Sequence, residues 1–187
     1  TVEIKSGYGL DKANELKQLN VIKRLANSHK IGVVATYLGA HAIPEEYRGR
    51  AAEYIEFIIK EVLPIVKAEQ LAEFCDVFLE TGVFDAEQSR RLLTAAKNMG
   101  FSIKIHADEI DELGGSRLAG ELKAVSAEHL IATGEEGMQA LSEGGVIAAI
   151  LPCTSLYLNK TFARARDMIA HNIPVAVATD FNPGSCP

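Results

Sequence analysis

The 187-residue chain has no tryptophan, three cysteines, six prolines and no long apolar run. Cys75, Cys153 and Cys186 are odd in number, far apart, and form no Cys-x-x-Cys. That spacing argues against a disulfide framework and predicts a reducing cytoplasm. No stretch approaches the ~18 apolar residues of a membrane span, and no signal-peptide pattern opens the chain. Clustered basic charge is also missing. The net charge is −6, and the densest spots, Arg90-Arg91 and Arg164/Arg166, read as solvated helix faces, which argues against a nucleic-acid surface. The remaining composition, 48% hydrophobic and 24% charged, is ordinary for a globular chain long enough to bury a core.

Short β-branched runs alternate with segments of helical period. The predicted strands are 2–5, 31–37, 74–79, 102–106, 124–129, 146–151 and 174–179. Between them, Leu16, Leu19, Ile22 and Leu25 recur at three-residue spacing, and Tyr54, Phe57, Ile58 and Val62 fall along one helical stripe. Gly100, Gly120 and Gly144 read as helix stops. Strands separated by helices imply a parallel sheet, because parallel neighbours need a crossover. Seven strands suit either a doubly wound sheet or an incomplete (β/α)8 barrel, whose full form takes ~250 residues. No linker or low-complexity tract divides the chain, so residues 1–187 are expected to form a single domain. Thr1–Lys5 reads as a strand with nothing before it and Cys186-Pro187 ends just past another, so both ends are expected to fall in mid-domain.

Polar residues gather where strands end. His41 follows the second strand, His106, Asp108 and Glu109 close the fourth, His129 the fifth, and Asp180 the seventh. In a parallel barrel the carboxyl ends of all strands share one rim, and active sites sit there. Imidazole and carboxylate together suit a divalent transition metal, zinc or iron, which lowers the pKa of bound water towards ~7. Glu109, three residues past His106, suits a proton shuttle better than a ligand.

Plainer roles compete for individual residues. A lone strand-end histidine is more often structural than ligating. His29 and His171 are placed at helix ends, where cations favour the dipole. Asp180 ahead of Asn182-Pro183-Gly184 could simply open a turn. Gly114-Gly115 is a helix entry rather than a phosphate loop. Cys75 and Cys153 are expected to be buried small hydrophobes. Only the joint placement of His106, Glu109, His129 and Asp180 favours chemistry.

At these residues the sequence resembles the amidohydrolase superfamily and, within it, the imidazolonepropionase family. The most specific stretches are Lys5-Ser6-Gly7-Tyr8-Gly9-Leu10 and Asp180-Phe181-Asn182-Pro183-Gly184-Ser185; Leu38–Ala42, Lys104–Glu109 and Ser126–Leu130 also match, and the similarity runs along the whole chain. The resemblance implies an incomplete (β/α)8 TIM-type barrel of the metal-dependent amidohydrolase kind, lacking the first strand, the closing helices and a small β-sandwich. It implies one divalent metal, zinc or iron, with His106 and Asp180 among four ligands. Glu109, His129 and Asp180 then match catalytic positions. Tyr8, His41, Glu109, Asn182, Gly184 and Ser185 match positions that hold the substrate. The implied reaction opens 4-imidazolone-5-propanoate to N-formimidoyl-L-glutamate in histidine degradation, in a cytoplasmic homodimer.

One departure stands out. The family's other two ligands form a His-x-His, and no His-x-His occurs in this sequence. A family arginine that grips the propionate is placed upstream of Thr1. Two other readings compete: another cyclic amidohydrolase or heterocycle deaminase, and a non-catalytic domain that holds a small ligand at its polar rim.

Overall fold

The computed structural model describes residues 1–186. The chain forms two compact units, Thr1–Phe78 with Val83–Ile103, and Leu79–Gly82 with the chain from Lys104 onward.

In the first unit, β1 (Val2–Lys5), β2 (Val33–Ala40) and β3 (Phe74–Leu79) are parallel, with Lys5 opposite Thr36 and Tyr37 opposite Cys75. The crossover from β1 to β2 is α1 (Lys12–Ser28), capped by the Asp11 carboxylate on the Asn14 N–H at 2.8 Å. Between β2 and β3 run a single 3₁₀ turn (Glu45–Tyr47), α2 (Ala51–Phe57), one π turn (Ile58–Val62) and α3 (Leu63–Ala68). After β3, α4 (Ala86–Asn98) opens on a capping box. Asp85 accepts from the Gln88 N–H and Gln88 accepts from the Asp85 N–H. Leu19, Ile22, Tyr37, Ile55, Ile58, Leu63, Leu92 and Leu93 are buried in this unit. Of the helical stripes read from the sequence, Leu19, Ile22, Tyr54, Ile58 and Val62 are buried, while Leu16, Leu25 and Phe57 are half-buried.

The second unit holds β4 (Ser102–Ala107), β5 (Ser126–His129), β6 (Ile147–Ile150) and β7 (Val175–Val177), again all parallel. Their crossovers are α5 (Gly115–Leu122), α6 (Glu135–Gly144), then α7 (Pro152–Tyr157) followed by α8 (Ala165–Ala170). Every expected strand is present, with ends displaced by up to three residues; β2 begins later and runs on to Ala40.

Two expectations fail. Gly120 does not stop a helix but lies inside α5, which runs on to Leu122. A Cβ on Gly120 would fall 2.2 Å from the Ala140 carbonyl oxygen, and one on Gly144 2.6 Å from the Gly120 oxygen. These glycines let α5 and α6 approach closely; the actual stops are Lys123 and Gly145, both left-handed. Cys75 is buried as expected, but Cys153 is exposed. It occupies the first turn of α7, and that helix buries Thr154 and Ser155 instead.

Candidate functional site

In the first unit, the Ser6–Gly9 segment after β1 is shaped by a buried acid that the sequence reading did not single out. Glu15, on α1 and 2% exposed, accepts from the N–H of Gly7 at 3.0 and 3.1 Å and of Gly9 at 2.7 Å. Gly7 has φ +115, open to glycine at little cost, and a Cβ on Gly9 would sit 2.5 Å from the Glu15 nitrogen. The Ser6 hydroxyl accepts the Leu38 N–H. This explains the Ser-Gly-Tyr-Gly spelling and leaves Tyr8 displayed, 58% exposed. The Tyr8 ring meets His41 edge-on at 5.1 Å, and His41 Nδ1 lies 3.3 Å from the Gly7 oxygen. The structure therefore brings Tyr8 and His41 together at the ends of β1 and β2.

In the second unit, register places Lys104 opposite Ser126, His106 opposite Glu128 and Ala107 opposite His129. Paired residues on parallel strands share a face, so strict alternation would turn His129 away from His106. The backbone overrides it. His129 has φ +71 and Leu130 φ +57, a sequence of left-handed non-glycine residues that carries strain. The two imidazoles end up with centroids 5.2 Å apart. Asp108 (φ +51) and Asp180 (φ +53), past the ends of β4 and β7, are left-handed as well.

Glu109 reaches back over this pair, its Oε2 3.5 Å from His129 Nε2 and its side chain 12% exposed. Burial pushes its carboxyl up to about 7, helped by the negative charges of Asp180 and Glu80 and opposed by His106. Asp180 is held below the usual carboxylate range. Burial acts against this, but hydrogen bonds from Ser185 and Thr154 and the charges of His129 and His106 outweigh it. Those bonds are 2.6 and 2.7 Å and both fall on Oδ2. Two carboxyls thus share one site with one pushed up and the other held down, the arrangement that separates an acid–base group from a permanently charged one.

Asn182 Oδ1 accepts from the N–H groups of Gly184 (2.8 Å) and Ser185 (3.1 Å), while its amide donates to the Asp180 carbonyl and the Ser185 hydroxyl, both at 2.7 Å. Asn182, Gly184 and Ser185 therefore form a turn that buttresses Asp180. His29 and His171 cap α1 and α8, as expected of helix-end histidines.

His106, His129, Asp180 and Glu109 lie close enough that each histidine charge acts on a carboxyl. Imidazole nitrogen with an ionised carboxylate is a donor set that fits a divalent transition metal. His106 and Asp180 are the pair that the sequence resemblance matches to metal ligands, and His106 Nδ1 also lies 3.5 Å from Glu128 Oε2.

No family model matches the chain. Among curated proteins, it is 58% identical over 185 residues to the imidazolonepropionase of Clostridium tetani and 55% over 188 residues to that of Bacteroides thetaiotaomicron. These matches cover 99% and 100% of this chain, against 44% and 45% of those proteins. The chain is a homologue of imidazolonepropionase. It spans about 45% of the length of the curated relatives it matches. Among solved structures, a guanine deaminase from C. acetobutylicum superposes with TM-score 0.69 at 13% identity, covering 100% of this chain and 48% of that one. An N6-mAMP deaminase from Arabidopsis gives 0.67 at 13%, covering 90% and 51%. At such identities the likeness is one of fold. The imidazolonepropionase homologue thus has the α/β architecture of an incomplete (β/α)8 barrel of the amidohydrolase kind.

Proposed function

We propose that this imidazolonepropionase homologue is part of a cytoplasmic, homodimeric, metal-dependent hydrolase that opens the ring of 4-imidazolone-5-propanoate to N-formimidoyl-L-glutamate. On this reading residues 1–187 belong to one catalytic barrel domain. The observation that carries it is the gathering of His106 and His129, in the last residues of β4 and β5, with Glu109 and Asp180, just past β4 and β7, in a chain more than half identical to enzymes of that name.

A zinc or iron ion held by His106, Asp180 and two further ligands outside this sequence would supply a Lewis acid and a water of lowered pKa. Glu109, poised near neutral, would take a proton from an attacking water and deliver it to the ring nitrogen as the carbonyl carbon–nitrogen bond breaks. Hydrogen bonds from Ser185 and Thr154 favour the ionised form of Asp180. His129 Nε2, beside Glu109, faces the charge that develops on the carbonyl oxygen. Tyr8 and His41 give an aromatic edge and an imidazole for the heterocycle. Asn182, Gly184 and Ser185 orient the metal-binding carboxylate and contribute polar groups for the propionate.

The test is incubation of the full-length protein with 4-imidazolone-5-propanoate, following loss of ring absorbance and identifying the product by mass. Stoichiometric conversion to the formimidoyl amino acid is expected. A metal-loaded, folded protein that leaves this substrate intact would refute the assignment.

A further inference from the structure

Glu80 is a buried carboxylate to which the ring-opening scheme gives no part. It follows β3 directly and is 2% exposed. Its Oε1 accepts the Thr81 N–H at 2.8 Å. Its Oε2 accepts the Ile110 N–H at 2.8 Å and lies 3.5 Å from the Asp111 nitrogen. The Thr81 hydroxyl adds a bond to Asp111 Oδ2 at 2.7 Å. The Ile110 nitrogen belongs to the same peptide plane as the Glu109 carbonyl, so Glu80 grips the chain immediately after the proton carrier.

The residue immediately before it is gripped in the same way. Asp108 is fully buried, and its carboxylate accepts from the N–H of Gly115 and Ser116, both at 3.2 Å, and from the Thr133 hydroxyl at 3.0 Å. Glu109 therefore stands between a side-chain anchor at Asp108 and a main-chain anchor at Ile110, on a loop, the kind of segment that otherwise moves. Burying a charge is costly. A carboxylate is nonetheless the side chain that fits, because both oxygens accept, whereas glutamine offers one acceptor oxygen.

We propose that Glu80 is a positioning residue: by holding the Ile110 N–H it keeps the Glu109 carboxylate beside His129 Nε2, within reach of the scissile nitrogen. This rests on Glu109 being the proton carrier. A misplacement of about 1 Å in such a group costs on the order of 10²-fold in rate.

The experiment compares wild type, Glu80→Gln and Glu109→Gln in the full-length, metal-loaded protein. It measures metal content, kcat, KM and amide exchange across residues 108–113. Expected for Glu80→Gln are full metal content, KM within about threefold of wild type, kcat lower by about 10- to 100-fold, and faster exchange in the loop. Unchanged kcat, or a loss that only follows the folded fraction, overturns the proposal. If Glu80→Gln does not fold, Glu80→Asp keeps the charge but shortens the side chain away from the Ile110 N–H. A lower kcat at constant KM then supports the proposal, and wild-type kcat overturns it. Should Glu109→Gln itself keep full activity, the proton-carrier reading fails instead, which separates the two outcomes.

Discussion

Replacing Glu109 by glutamine should make the metal-stripped protein more stable at alkaline pH while disabling the loaded enzyme. The side chain is 12% exposed, and burial raises its carboxyl from an ordinary 4.5 to about 7. A raised folded-state pKa favours the folded state fully below pH 4.5, and that advantage is lost as the pH climbs through about 7. At ~1.36 kcal/mol per pH unit the ceiling on the loss is about 3 kcal/mol. Glutamine has no charge to bury, so at pH 8 the variant should exceed wild type by roughly 1–3 kcal/mol, with most of the gain gone at pH 5. Urea unfolding of chelator-treated protein at the two pH values measures this directly. In the loaded enzyme the same substitution should lower kcat by ~10²–10⁴. Equal unfolding midpoints at pH 8, or the same gain at both pH values, would refute the claim that burial sets the protonation of Glu109.

Other consequences are simpler. Ser185→Ala removes a 2.6 Å hydrogen bond to Asp180 Oδ2, and metal affinity measured by chelator competition should fall ~10- to 100-fold. Gly120→Ala drives a methyl to 2.2 Å from the Ala140 oxygen, so thermal unfolding should report a loss of about 1–3 kcal/mol. The 187 residues alone carry two of the proposed four ligands. They should bind zinc or iron weakly and give no measurable ring opening, and a robust rate from them would contradict the ligand assignment.

The alternation of strand and helix was legible because parallel strands leave a simple mark, a β-branched run bounded by polar residues. His106, Glu109, His129 and Asp180 were legible because chemistry in such folds collects at strand ends. The backbone that unites them was not. His129 should face away from His106 by alternation, and its left-handed φ, uncommon for any residue but glycine, brings the rings together. Gly120 looked like a stop because glycine signals both termination and close approach, and only the packing of α5 on α6 decides between them. Glu15 was hidden in a helix among surface-type residues, its role visible only once the Gly7 and Gly9 N–H groups point at it. Glu80 left a usable trace, because it is a carboxylate at a strand end, as Asp180 is.

The central claim is tested most directly by anomalous diffraction from crystals of the full-length, metal-loaded protein at the zinc and iron absorption edges. The account predicts a single peak at ~2.0–2.2 Å from a His106 nitrogen and an Asp180 oxygen, with Glu109 close by but outside bonding distance. A peak bound by neither His106 nor Asp180 would contradict it.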